Sequence, residues 1–128
     1  MTTPKKPTTP RLPKSLKVAL LAAQDRQAQE AIILDLRKVG GFTDYFLICT
    51  GQNAKQIGAI ADAIEVAVKA ETGEKPALVE GRSRAEWVLI DYFSFVVHVF
   101  SNDARAYYDL ERLWGNARRL EFPLEPRD

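Results

Sequence analysis

The side chains that could do chemistry in this chain are few and widely spaced. Cys49 and His98 are its one cysteine and its one histidine. On neighbouring strands they could act as a nucleophile and its base. Nothing beside Cys49 supplies an oxyanion hole or a helix N-terminus, so a buried thiol and a packed imidazole are the preferred reading. Three acids, Asp44, Glu80 and Asp91, fall at the ends of apolar runs, where converging carboxylates could hold a divalent cation. A metal-dependent nucleotidyl- or phosphotransferase would want two acids at a spacing of two on one strand, which places both on one face. No Asp-x-Asp or Asp-x-Glu stands at a strand end. Solvated or salt-bridged strand termini are therefore preferred, and that enzyme is kept as the alternative function. Gly40-Gly41 and Gly51 belong to no phosphate-loop pattern. Gly51, just before a capped helix, could offer free N–H groups to an anion, although an ordinary strand-to-helix turn explains it more simply.

The aromatic residues carry more information. Both tryptophans, three tyrosines (Tyr92, Tyr107, Tyr108) and the histidine lie between Glu80 and Trp114. Within Glu86–Asp91 the strand alternation puts Trp87, Leu89 and Asp91 on one face and Glu86, Val88 and Ile90 on the other. In Phe95–Phe100 both faces are apolar apart from His98. Helices cover one face of such a sheet well, and the second apolar face must meet a further helix, a second copy of the chain or a partner. Tryptophan and tyrosine anchor interfaces because they bury much area and keep a polar handle.

The elements that position these residues follow from periodicity. Residues 1–13 are Pro, Thr and Lys and are expected to be a disordered basic tail. A helix is predicted over Ser15–Gln27, then strands over Ala31–Leu36 and Thr43–Cys49, with a turn at Gly40-Gly41. The clearest helix starts after Asn53. Gln56 stands three residues on, Ile57, Ile60, Ala61, Ile64 and Val68 share a face, and Gly73 is the stop. A short strand over Ala77–Glu80, a charged loop over Gly81–Ala85, a hairpin of Glu86–Asp91 with Phe95–Phe100, and a helix over Asp103–Trp114 complete the order. Residues 117–128 are expected to be an irregular tail. The result is one domain over residues 14–116, of α+β class, with a mixed five-stranded sheet and helices packed on it.

The bulk composition fits this. An apolar share of 46% sustains a core in 128 residues. The formal charge of +1 hides an asymmetry: residues 1–17 carry five basic side chains and no acid, whereas residues 18–128 carry 13 basic and 17 acidic, a difference of −4. An acidic body opposes broad contact with nucleic acid. No run reaches the ~18 apolar residues of a membrane span, and the first residues, which lack an apolar core, are not expected to act as a secretory signal. A single cysteine excludes an intrachain disulfide and a cysteine-based zinc site and suits a reducing, cytoplasmic setting.

Several short runs in fixed order resemble one family. They are Asp44-Tyr45-Phe46 with Ile48, Cys49, Thr50 and Gly51, then Ala61-Asp62, Glu80-Gly81, Ala85-Glu86-Trp87, Asp91, Val97-His98-Val99-Phe100, Arg105, Tyr107-Tyr108, Leu110-Glu111 and Leu113-Trp114. From Leu16 to Trp114 the chain resembles the ribosomal silencing factors (RsfS, Iojap or YbeB-like). The resemblance implies a cytoplasmic or organellar protein with a nucleotidyltransferase-like fold that lacks the catalytic acids, needs no cofactor and turns over no substrate. It implies binding to the large ribosomal subunit through its fourteenth ribosomal protein. Occupying that site blocks the small subunit and represses translation. The partner surface carried over is Trp87, Leu89 and Asp91, with Tyr92 and His98 beside them. A homodimer on the same face is compatible with it. The basic N-terminal arm is read as a solubilising tail first and as a contact to ribosomal RNA second. Family hairpins often read Asp-x-Gly-Asp where this chain has Asp91-Tyr92-Phe93-Ser94. Without that glycine a turn with φ > 0 is disfavoured here.

Overall fold

The computed structural model describes residues 12–122. Residues 1–11 of the expected basic arm and the last six residues lie outside them, whereas Leu12, expected to belong to that arm, is buried in the helix-side core and Pro13 stands at the start of α1. In order come α1 (Lys14–Asp25), β1 (Gln29–Asp35), β2 (Tyr45–Thr50), α2 (Ala54–Thr72), β3 (Leu78–Glu80), β4 (Trp87–Asp91), β5 (Phe95–Phe100), α3 (Asn102–Tyr108), α4 (Leu110–Leu113) and β6 (Arg118–Phe122). The strands form one mixed sheet in the order β3-β4-β5-β2-β1-β6. Only β2 and β5 pair in parallel, and the other neighbours are antiparallel. The α+β class read from the sequence holds.

The central strands are those with apolar side chains on both faces. β2 (YFLICT) and β5 (FVVHVF) are buried at every position. Their odd and even residues serve two separate cores. Leu47, Cys49, Val97 and Val99 face α1 and α2, which pack beside each other on one side of the sheet through Leu16, Leu20, Ala23, Ile57, Ile60 and Ile64. Phe46, Ile48, Val96 and Phe100 face the other way, towards Ala104 of α3, Leu110 of α4 and Trp114. Two long helices therefore cover one face completely, while the second face has only two short helices on it.

Local chemistry explains the helix limits. Asn53 Oδ1 accepts from the Gln56 N–H at 2.8 Å, and Gln56 Oε1 accepts from the N–H of Gln52, one residue before the cap, a variant of the capping box. Gly73 ends α2 at φ 77°, in the left-handed region that glycine tolerates. Ser101 caps α3 through its side chain, which accepts from the Ala104 N–H at 3.0 Å.

Three expectations are corrected. The sheet has six strands, because residues 118–122, expected to be irregular, pair with β1 as an antiparallel edge. Charge on alternate positions (Arg119, Glu121) suits a solvated edge strand, and Leu120 and Phe122 turn towards the helix-side core. The expected single helix over Asp103–Trp114 breaks at Asp109, which adopts φ 46° and divides α3 from α4. The β4–β5 turn does use a positive φ, at Phe93 with φ 71°.

Candidate protein-docking face

The second face of the sheet is where the chain concentrates its aromatic rings. β4 shows the expected alternation: Val88 and Ile90 are buried in the helix-side core beneath α2, while Trp87, Leu89 and Asp91 are partly exposed on the opposite face. The long helices thus cover the Val88 face, while the short helices α3 and α4 cover the other face only in part and leave Trp87 and Leu89 partly open to solvent. Register sets what lies beside Trp87. Antiparallel pairing places Trp87 opposite Phe100 and Leu89 opposite His98, and parallel pairing places His98 beside Ile48.

A continuous track of rings results. Tyr107 meets Tyr108 with centroids 5.0 Å apart, Tyr108 meets Trp87 at 4.5 Å, and Trp87 meets His98 at 5.9 Å. His98 meets Phe46 at 4.5 Å, and Phe46 meets Phe42 at 5.9 Å. The two ends are open, with Tyr107 81% and Phe42 76% exposed, while His98 in the middle is only 3% exposed. Edge-to-face and tilted contacts at these separations are the favourable aromatic geometries. An apolar strip that is rigid in the middle and exposed at its ends is the form expected of a docking surface.

His98 is the buried keystone of the track. Its Nδ1 accepts the Trp87 indole N–H at 3.0 Å. Burial holds the imidazole far below its ordinary range, to about 3. The nitrogen that would take a proton is already occupied by a donor, so the hydrogen bond acts in the same direction. His98 is neutral and serves to orient Trp87.

Arg105 fixes the helical edge of the face. Its charge is almost fully buried and is met by four hydrogen bonds. Its Nη1 donates to Glu30 O at 2.7 Å and to Thr50 Oγ1 at 2.9 Å. Its Nε and Nη2 grip the Glu111 carboxylate at 3.2 and 3.1 Å. One guanidinium thereby ties α3 to β1, β2 and α4, and sets where Tyr107 and Tyr108 stand. On the far side of the domain Arg82 donates to Asp62 at 2.7 Å and also pairs with Glu65, which clamps the β3–β4 loop to α2.

The other sequence-derived candidates separate. Tyr92 does not belong to the face. It continues the Val88–Ile90 column, is 1% exposed and stacks on Phe95 in the helix-side core. Cys49 faces α1 and α2 while His98 faces away, so the two cannot react with each other, and burial pushes the Cys49 thiol up to about 12. Asp44, Glu80 and Asp91 do not converge. Glu80 pairs with Leu89 and Asp91 with Leu78, and Asp44 lies beyond β5 at the start of β2. Among the described residues no group of three His, Cys, Asp or Glu could hold a metal ion. Gly51 is a packing glycine. A Cβ there would come within 2.7 Å of Ile57, and the neighbouring Gln52 N–H is already bonded to Gln56. Composition did not single out Phe42, Tyr107 and Tyr108 as members of the face. The signal available was the Tyr-Tyr pair itself, since two successive helical residues cannot share one buried side.

Fold and face together define the class: a mixed-sheet α+β domain with one helix-covered face and one aromatic face. The family described as ribosomal silencing factor during starvation matches residues 9–128, and the chain belongs to that family. Ribosomal silencing factors RsfS of Bacillus subtilis and Halalkalibacterium halodurans are 44% and 42% identical to it, over 80% and 83% of this chain and 86% and 90% of theirs. The chloroplastic protein Iojap of Zea mays is 32% identical over 81% of this chain and 45% of its own length. A crystal structure of a Chromobacterium violaceum protein superposes with a TM-score of 0.75 at 32% identity, covering 89% of this chain and 88% of that one. One from Bacillus halodurans gives 0.72 at 41% identity, covering 84% and 96%. Among the described residues no helix is long and apolar enough to cross a membrane.

Proposed function

We propose that this chain silences ribosomes in the cytoplasm by steric occlusion. It binds the large ribosomal subunit through that subunit's fourteenth ribosomal protein and blocks docking of the small subunit, without catalysing a reaction. The observation that carries the reading is the Trp87 face: an aromatic strip anchored on a buried histidine, which the short helices α3 and α4 cover only in part, leaving Trp87 and Leu89 half-buried and Tyr107 and Phe42 exposed. Trp87, Leu89 and Asp91 form the contact surface, with Tyr107 and Tyr108 along its helical edge. His98 acts from beneath as a positioning residue, and Tyr92 has no part in it. A second copy seated on the same face would compete with the ribosome, so binding would weaken as protein concentration rises.

Co-sedimentation of the purified protein with large subunits, small subunits and joined ribosomes tests this. The protein should travel with large subunits and with neither of the others. Co-sedimentation with joined ribosomes would contradict occlusion.

A further inference from the structure

One end of the sheet carries two phenylalanines that the fold leaves in solvent. Phe93, at the tip of the β4–β5 hairpin, is 77% exposed, and Phe42, in the loop before β2, is almost equally so. The two loops are joined. Thr43 Oγ1 donates to Phe93 O at 2.6 Å, and the Asp44 N–H donates to Ser94 O at 3.2 Å.

Phe93 holds φ 71°. This is the left-handed region, where a bulky side chain is strained and glycine is not. The conformation is clamped from two sides, since the Phe93 N–H also donates to Asp91 Oδ1 at 2.8 Å. In return the ring gains almost no burial. Stability alone therefore favours glycine at this position: it would relieve the backbone and remove an exposed apolar ring. Strain retained beneath an exposed aromatic ring points to a contact outside the chain. Phe42 gives that contact a place, because its ring meets Phe46 and forms the outer end of the track leading to Trp87. One carboxylate, that of Asp91, stands at the hairpin tip, where it accepts from the Phe93 N–H.

We propose that Phe93 and Phe42 are a second anchor of the Trp87 face, seated on the same large-subunit partner at an apolar patch bordered by Lys or Arg. The proposal rests on the function inferred above. The ring track supplies the continuity, and the Asp91 carboxylate at the hairpin tip sets the charge that the partner must complement.

The test uses the full chain, purified large subunits as the probe, and the variants Phe93→Gly and Phe42→Ser. Phe93→Gly should melt at a higher temperature than the wild type and yet bind large subunits at least fivefold more weakly. Phe42→Ser should weaken binding similarly. Subunit affinity equal to the wild type in both variants overturns this proposal alone, and so does a lower melting temperature for Phe93→Gly. Loss of self-association with subunit affinity intact would assign the rings to a contact between copies and also overturn it. A wild-type chain that does not bind large subunits overturns the functional reading beneath it as well.

Discussion

The indole N–H of Trp87 donates to Nδ1 of His98 across 3.0 Å. Indole nitrogen can only donate, so Nδ1 carries no proton and the imidazole is the neutral Nε2–H tautomer. A half-exposed ring on one strand is thus held in place by a buried ring on the next. Trp87→Phe keeps the aromatic packing but leaves Nδ1 buried without a donor, which should cost roughly 1–2 kcal/mol of stability. Urea unfolding of the two proteins at neutral pH measures this.

The same bond predicts a pH dependence. His98 has a folded pKa of about 3 against an ordinary value of 6.5. The folded chain does not take up the proton that the unfolded chain accepts. Stability from this group is complete above about pH 6.5 and is lost progressively as pH falls towards 3. At pH 5 the loss should be about 2 kcal/mol relative to pH 8. Unfolding midpoints of the wild type and His98→Gln across this range check it. The variant should show a flatter profile, and parallel profiles would contradict the assignment.

Two glycines should respond in opposite directions to alanine. At Gly81 (φ +90°) a Cβ would lie 2.0 Å from the Trp87 carbonyl oxygen, whereas at Gly58, within α2, it would meet nothing within 4 Å. Gly81→Ala should lose on the order of 3 kcal/mol, through strain and a backbone clash at the start of β4. Gly58→Ala should gain about 0.5–1 kcal/mol from helix propensity. Thermal melts of the two variants separate these effects.

Arg105→Lys should not behave as a conservative change. Lysine cannot make the two-pronged grip on Glu111 while reaching Glu30 and Thr50. A loss of about 2 kcal/mol is expected, together with increased mobility of Tyr107 and Tyr108 seen as altered tyrosine ring resonances in NMR spectra.

How much of this was legible in the chain depended on how local each cause is. Asn53, Gln56 and Gly73 delimit α2 through bonds to their own neighbours, so that helix could be read directly. The alternation of Trp87, Val88, Leu89, Ile90 and Asp91 also reads correctly, because burial on one face is written at a period of two. That same period places Tyr92 with Val88 and Ile90, and grouping it with Trp87 overlooked it. β6 was out of reach: Arg118–Phe122 is short and charged, and it becomes a strand only because β1 presents a free edge. The break at Asp109 rests on one residue entering the left-handed region between two short helices, which helical periodicity does not encode. Phe93 runs against local preference, since its positive φ is held by Thr43, fifty residues away in sequence. The pairing of Trp87 with His98 required the β4–β5 register, which no local pattern supplies.

The central claim is that the Trp87 face occludes the small subunit, and subunit joining followed by light scattering tests it most directly. Separated subunits are mixed with wild-type protein or with Trp87→Ala, after circular dichroism shows that the variant is folded. Wild-type protein should suppress formation of joined ribosomes in proportion to its occupancy of large subunits. Trp87→Ala should need about 30-fold more protein for the same effect, equivalent to roughly 2 kcal/mol of binding. Joining that proceeds unhindered by saturating wild-type protein, or suppression by folded Trp87→Ala at the wild-type concentration, would contradict the claim.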